Sequence, residues 1–399
     1  MSACLATMRK WRTNPQNEQL PSGVSFREFE LAREAFQLKY GHAADRFDAL
    51  SWLAEWLLAR QRPADAVACF EAIPTPQVKY GRLARHQQGR TLLELHRAVE
   101  AEQQFREFIA LEQASPSINP EYLIDARQRL RHILEVELRF EERHQLLRGV
   151  IERNEDDAFE SMAACFPSLL RWNGPAAIHW IEEFRAAGPR NSWVEVAYGR
   201  YQIRQGKLQE AHSILESVIR EHPKDLWVSA ALIDCLREQG ELDKARLLIE
   251  RLPPRSSNDP WLLLLLRGWF ANQSGNPTDA MAAFEQVLQQ DQTATEAWQG
   301  LVSATRLMGN APRRIKALEM VSALGRIQDR LGRITRDSAN PDSFLDIADL
   351  CAECDLIREG AVMARWAWRI APDDDRVRRS VTLFRERLVV EQQPPLLGP

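Results

Sequence analysis

The sequence predicts an all-α protein, a solenoid of about nine stacked helical hairpins closed by a C-terminal helix. Three observations carry that prediction. Trp193, Trp227 and Trp261 are spaced by 34 residues, and glycines follow them on the same period, Gly206 and Gly240 on the beat and Gly275 one residue late. Between these markers apolar residues recur at helical spacing, as in Leu208, Ala211, Ile214, Leu215, Val218 and Ile219. No stretch of alternating apolar and polar residues competes for a strand.

Each column has a physical reason. Gly206 and Gly240 fall between two helical stretches, where a hairpin turn needs a residue that tolerates positive φ. Five residues beyond each glycine stands Ala211, Ala245 or Ala280, small enough for paired helices to approach closely. Leu215, Ile249 and Phe284 come four later, and Val218, Leu252 and Val287 three further on; these fill the gap to the next pair. Backward, the frame continues through Ala177 (with Ile181 and Phe184), Arg143 (with Leu147 and Val150), Ala101 (with Phe105 and Phe108) and Ala66 (with Phe70 and Ile73). Forward, Arg314 leads Leu318 and Val321, and Gly360 leads Ala364 and Ala367. One hairpin cannot cover its own apolar face, so neighbours stack.

This pattern resembles the tetratricopeptide repeat. The best unit reads Gly199, Gly206, Ala211, Leu215, Val218 and Pro223, and the resemblance covers roughly residues 45–375. It implies a right-handed superhelix whose first helices line a concave binding groove. The units lie near 47–78, 82–113, 124–155, 158–190, 192–225, 226–259, 261–292, 295–326 and 341–374. A mobile arm over 1–25 and a helix within 26–44 precede the array. A capping helix over 376–391, with Val377, Val381, Phe384 and Leu388 on one face, and a disordered tail over 392–399 follow it.

Two steps break the period, from Ala101 to Arg143 and from Arg314 to Gly360. The extra length falls in Gln113–Tyr122 and Arg326–Asp342, as a longer loop or helix extension, or as a hinge or partner-contacting loop.

Composition narrows function. The formal net charge is −4, so nucleic acid gains nothing from the overall balance and no nucleic-acid partner is expected. The longest apolar run, Trp261–Leu266, is far below the ~20 residues that span a bilayer. Six scattered cysteines make no disulfide framework, which points to a reducing cytoplasm. Arginine outnumbers lysine, 45 to 7, a bias that leans towards a bacterial GC-rich genome.

Catalytic motifs are missing: there is no G-x-S-x-G, no Walker loop, no HExxH and no GxGxxG. The expectation is a non-enzymatic protein without cofactor or metal. Cys351 and Cys354 form the one CxxC, with no second pair or suitably spaced histidine. They read as helix packing, and as a metal- or redox-responsive pair in the alternative, regulatory reading. RNA binding by the helical array is a further alternative.

The leading reading is a scaffold or adaptor that holds a partner peptide or protein. In the family's register the groove positions are Arg200 and Arg204, then Asp234 and Arg237, then Trp269, Asn272 and Gln273, with His86, Arg90 and Glu94 nearer the amino end. The family's chaperone-binding subclass grips a peptide carboxylate with Lys and Asn where this chain has Val196, Ala230 and Leu265, so that clamp is missing. Arg200, Arg204 and Arg237 suit an acidic peptide, since guanidinium groups grip carboxylates bidentately. The alternative is that they pair with Glu195, Glu238 and Glu241 on a solvated face.

Overall fold

In eight of the hairpins a residue held at positive φ separates the first helix from the second. In the computed structural model, which describes residues 23–41, 45–75, 81–114, 120–152, 158–170, 175–188, 190–334 and 340–390, Gly206, Gly240, Gly275 and Gly309 have φ of 74°, 78°, 70° and 67°. The same turn persists where glycine has been lost. Gln61, His96, Leu138 and Asp355 stand five residues before Ala66, Ala101, Arg143 and Gly360, and have φ of 59°, 58°, 56° and 60°. Each turn closes with the same bond, as from Lys207 N–H to the Gln202 carbonyl and from Leu356 N–H to the Cys351 carbonyl, both 2.9 Å.

The described residues form 20 helices and no strand. They are α1 (Phe26–Tyr40), α2 (Arg46–Ala59), α3 (Pro63–Glu71), α4 (Gly81–Glu94), α5 (Ala98–Gln113), α6 (Pro120–Val136) and α7 (Phe140–Glu152). Then come α8 (Ala158–Cys165), α9 (Pro175–Ala187), α10 (Ser192–Arg204), α11 (Leu208–Glu221), α12 (Leu226–Glu238), α13 (Leu242–Arg251) and α14 (Trp261–Gln273). The last six are α15 (Pro277–Gln290), α16 (Thr295–Leu307), α17 (Ala311–Leu331), α18 (Pro341–Glu353), α19 (Ile357–Ile370) and α20 (Asp375–Val390). Side chains cap several starts: Asp225 Oδ1 accepts from the Trp227 N–H at 2.8 Å, and Asn340 Oδ1 from the Ser343 N–H at 2.8 Å. The proposed arm and tail fall mainly on 1–22 and 391–399, outside the described residues, as do 115–119 and 335–339 of the two period breaks.

The chain divides into two compact units, Met1–Ile133 with His179–Asn191, and Leu134–Ile178 with Ser192–Pro399. The first has a core around Phe29, Leu50, Leu53 and Phe70. His86, placed by the register on an open groove, is instead fully buried there: its Nε2 lies 2.8 Å from Asp125 Oδ2, and its ring packs on Phe108 and Tyr122. Burial pushes its pKa below the usual histidine range.

In the second unit the columns behave as packing demands. Ala211, Ala245 and Ala280 are all fully buried. A bulky residue on the second helix presses against glycine on the first: a Cβ on Gly199 would come 3.0 Å from Leu215, and one on Gly268 would come 2.6 Å from Phe284. Arg143 stands in the alanine column, also fully buried, and donates to Glu135 Oε1 (3.0 Å) and to the carbonyls of Leu170 (2.9 Å) and Pro167 (2.8 Å). Its guanidinium thereby fastens the turn after α8.

Two expectations need correcting here. Arg314 does not lead a packed column: Leu318 is 49% exposed, and the buried stripe of α17 runs instead through Ala317, Met320, Leu324, Ile327 and Leu331. The helix is rotated relative to the repeat frame and runs on to Leu331, so part of the extra length at 326–342 is helix extension. Stacking of neighbours, expected from the repeat, is also not the whole of the packing. Phe166 and Met162 share one core with Leu324, Phe344 and Phe384. Trp366 Nε1 donates to Ser161 Oγ at 2.6 Å across 205 residues, and the Trp261 N–H donates to Glu141 Oε1 at 2.7 Å across 120.

Candidate peptide-binding groove

Four first helices in a row, α10, α12, α14 and α16, present the same face because the 34-residue period repeats their rotation. A cavity of about 480 Å³ opens along that face. All seven residues that the register nominated line it: Arg200 and Arg204 from α10, Asp234 and Arg237 from α12, and Trp269, Asn272 and Gln273 from α14. Leu262, Leu265 and Phe284 supply an apolar wall. Val196 and Ala230, two of the three positions where the chaperone-binding subclass has its clamp, are buried, while Leu265 faces the cavity.

The charges are partly committed within the chain. Arg237 Nη2 donates to Asp234 Oδ1 at 2.8 Å and to Glu238 Oε1 at 2.6 Å, while its guanidinium carbon lies 5.7 Å from the centre of the Trp269 ring. Arg237 thus makes one of the ion pairs that the alternative expects, with Glu238. Arg200 lies 5.9 Å from the Trp227 ring, and Arg204 lies 5.9 Å from that of Tyr201. Trp193 and Trp227 meet edge to face at 5.8 Å, a contact between successive units. Asn272 Nδ2 donates to the Gly300 carbonyl at 3.1 Å, tying α14 to α16, and its Oδ1 is left without a partner.

Sequence reasoning missed the fourth wall. Glu296, Gln299 and Ser303 of α16 also line the cavity. They stand 34 residues after Leu262, Leu265 and Trp269, so one more step of the period would have found them. Chemically the cavity offers apolar surface beside a polar rim, with three guanidiniums against two carboxylates.

The CxxC pair lies elsewhere. Cys351 is completely buried in α18, and burial holds its thiol well above the ordinary value; Cys354, pushed up to about 11, directs Sγ at the Leu350 carbonyl. Both stay protonated near neutral pH, which disfavours metal ligation and thiolate chemistry. Among the described residues no three His, Cys, Asp or Glu side chains gather as a metal site, and no helix is long and apolar enough to cross a membrane.

Comparison with known proteins gives three kinds of result. Residues 202–266 match the family model of the tetratricopeptide repeat. A search of the curated proteins finds no match. Among solved structures, the chain is similar to a human IFIT1 dimer with PPP-AAAA (13% identity, 91% of this chain and 85% of that one, TM-score 0.37). It is also similar to the APC/C hetero-tetramer Cut9–Hcn1 (12%, 90% and 93%, TM-score 0.29) and to a tetratricopeptide repeat protein from Parabacteroides merdae (9%, 76% and 98%, TM-score 0.29).

Proposed function

We propose that this chain, a tetratricopeptide repeat protein by its residues 202–266, is a non-catalytic scaffold or adaptor that holds a short segment of a partner protein across α10, α12, α14 and α16. The observation that carries the reading is the single cavity lined by Arg200, Arg204, Asp234, Arg237, Trp269, Asn272 and Gln273. Trp269 is half-buried beneath Arg237, so an incoming apolar side chain finds a rigid aromatic surface at low entropic cost. Acidic residues in the partner would meet Arg200 and Arg204, while Glu296 and Asp234 would discriminate against a uniformly acidic one. The free thiols of Cys69, Cys165 and Cys235 suit a reducing, cytoplasmic setting.

A photo-crosslinking amino acid in place of Gln299 tests this. Exposure in cells should yield one dominant adduct that disappears when Trp269→Ala and Arg237→Glu are added, with the helical spectrum unchanged. An adduct indifferent to both substitutions would move the site off this groove, most directly to the segment 326–342.

A further inference from the structure

A second cavity, of about 200 Å³, lies within the same unit but away from the peptide groove. It forms where α7 and α8 meet the start of α19 and the loop after α15. Arg148 from α7 and Arg358 from α19 both face it. Among the described residues, neither guanidinium has a hydrogen-bond or ion-pair partner, although most other arginines of the unit are bonded to a carboxylate, carbonyl or ring. His144 also faces the cavity; its ring donates to the Ala164 backbone, and its buried Nδ1 has no hydrogen-bond partner. The side-chain amides of Gln289 and Gln292 complete the polar wall. Finally, α19 starts at Ile357 beside the same space; its N-cap residue supplies no side-chain cap, and the Glu359 carboxylate in the first turn accepts from its own backbone N–H.

Two unpaired guanidiniums converging on one small, partly open volume suit an anion, because two of the three carboxylates that share its wall are engaged elsewhere, Asp355 by Arg387 and Asp291 by Ser168 and Thr293. We propose that this cavity binds a small oxyanion-bearing molecule, a phosphate monoester or a carboxylate, held by Arg148 and Arg358. The volume matches about six or seven waters at ~30 Å³ each, enough for a phosphate with a small organic group and too small for a folded segment. Because Arg148 and Arg358 belong to helices far apart in sequence, the ligand would tie α7 to α19 and stabilise the closure of the unit.

The cavity's own charges predict a linkage to protons. The titratable and charged groups facing Glu359 are His144 and Arg148 from α7, Cys165 from α8, Asp291 from the loop, and Asp355 and Arg358 beside α19. Asp355 is engaged by Arg387 at 3.2 Å, and Asp291 accepts from Ser168 and Thr293. Burial, with Asp291 nearby, raises the Glu359 carboxyl to about 7, and burial lowers His144 to about 4. An arriving anion must therefore favour protonated Glu359, so binding should take up protons and weaken as pH rises through 7.

The test is titration of the full chain with inorganic phosphate, glucose 6-phosphate and succinate at constant ionic strength, with chloride as the balancing salt. Calorimetry and the melting temperature are both read. Saturable binding of at least one probe is expected, with a rise in melting temperature that chloride does not give. Tighter binding of glucose 6-phosphate would assign a phosphate ligand, and tighter binding of succinate a carboxylate. Arg148→Gln and Arg358→Gln should each weaken it at least tenfold with the helical spectrum retained. Glu359→Gln should keep binding and flatten its pH dependence. No saturable binding by any probe, or equal binding by both glutamine variants and the wild-type chain, would overturn the proposal. If a glutamine variant loses its helical spectrum, Arg148→Lys with Arg358→Lys replaces it: charge without the planar fork should bind weakly, and undiminished affinity would overturn the proposal as well.

Discussion

Two regions of the second unit obey different rules. From α10 to α16 each helix packs mainly on its sequence neighbours, the start of α14 against α7 excepted, and the columns of Ala, Leu and Phe repeat what the previous hairpin did. From α17 onward the partners come from far away: α8 packs against α19, and Phe166 joins a core with Phe344 and Phe384. The first region is stabilised by interfaces that a period encodes. The second closes the chain on itself, and its stability depends on both ends being present. A repeat array is thus not necessarily a one-dimensional stack.

The largest effect expected is from breaking the closure. Phe166 is fully buried, and Phe166→Ala should cost about 3–5 kcal/mol through lost transfer energy and the cavity left behind. The informative readout is where the loss appears. Native-state hydrogen exchange should show protection falling at α18–α20, some 200 residues away, whereas Leu215→Ala should loosen α10–α12 and leave α18–α20 protected. Equal local losses in both variants would mean that the closed region is also a nearest-neighbour stack.

The next effect is in pH, and it too separates the regions. Glu359 is raised from its ordinary value to about 7, so its contribution is fully present below pH 4.5 and is lost as pH rises through 7. His144 is lowered to about 4, so the cost of charging it appears as pH falls below 6.5. Both belong to the closed region. Melting temperature should therefore fall between pH 6 and pH 8 in the wild-type chain, and less steeply in Glu359→Gln. Identical slopes in the two would exclude Glu359 as the group that titrates.

What was legible in the sequence follows the same division. Gly206, Gly240, Gly275 and Gly309 announce their turns because the missing side chain is itself the signal. Gln61, His96, Leu138 and Asp355 adopt the same backbone silently, since surrounding packing can impose a left-handed residue without any trace in composition. Arg143 looked like a decayed alanine and is a buried anchor, because a guanidinium can replace packing with three hydrogen bonds. The cavity residues Arg200 to Gln273 were reachable by counting, since one period fixes one face. The meeting of α8 with α19 was not, because nothing in a repeat specifies which distant hairpin a departing segment will touch.

A smaller effect checks the regular region. Ala211→Leu or Ala245→Leu should destabilise by roughly 1–3 kcal/mol, because both alanines are fully buried where two helices touch. Gln209→Leu, at an exposed position on the same turn of α11, should leave the melting temperature nearly unchanged. Similar melts for the two positions would mean that the face assigned to α11 is wrong.

The smallest effect isolates the turn itself. A Cβ at Gly206 would meet nothing within 4 Å, so Gly206→Ala changes no packing and its cost is purely that of holding a side chain at φ 74°. That cost should be about 1–2 kcal/mol. Gln61, in the first unit, is the reverse experiment: it is exposed at φ 59°, so Gln61→Gly removes the same strain at little loss of contact. The greater freedom of glycine in the unfolded chain offsets part of the gain, leaving a stabilisation of about 0.5–1 kcal/mol. Leu138→Gly, by contrast, should destabilise despite relieving strain, because Leu138 is 1% exposed and its burial outweighs the turn. Chemical denaturation of the three variants gives the order directly. If Gln61→Gly is destabilising too, the left-handed turn at that position is not strained, and the sequence lost its glycine there at no cost.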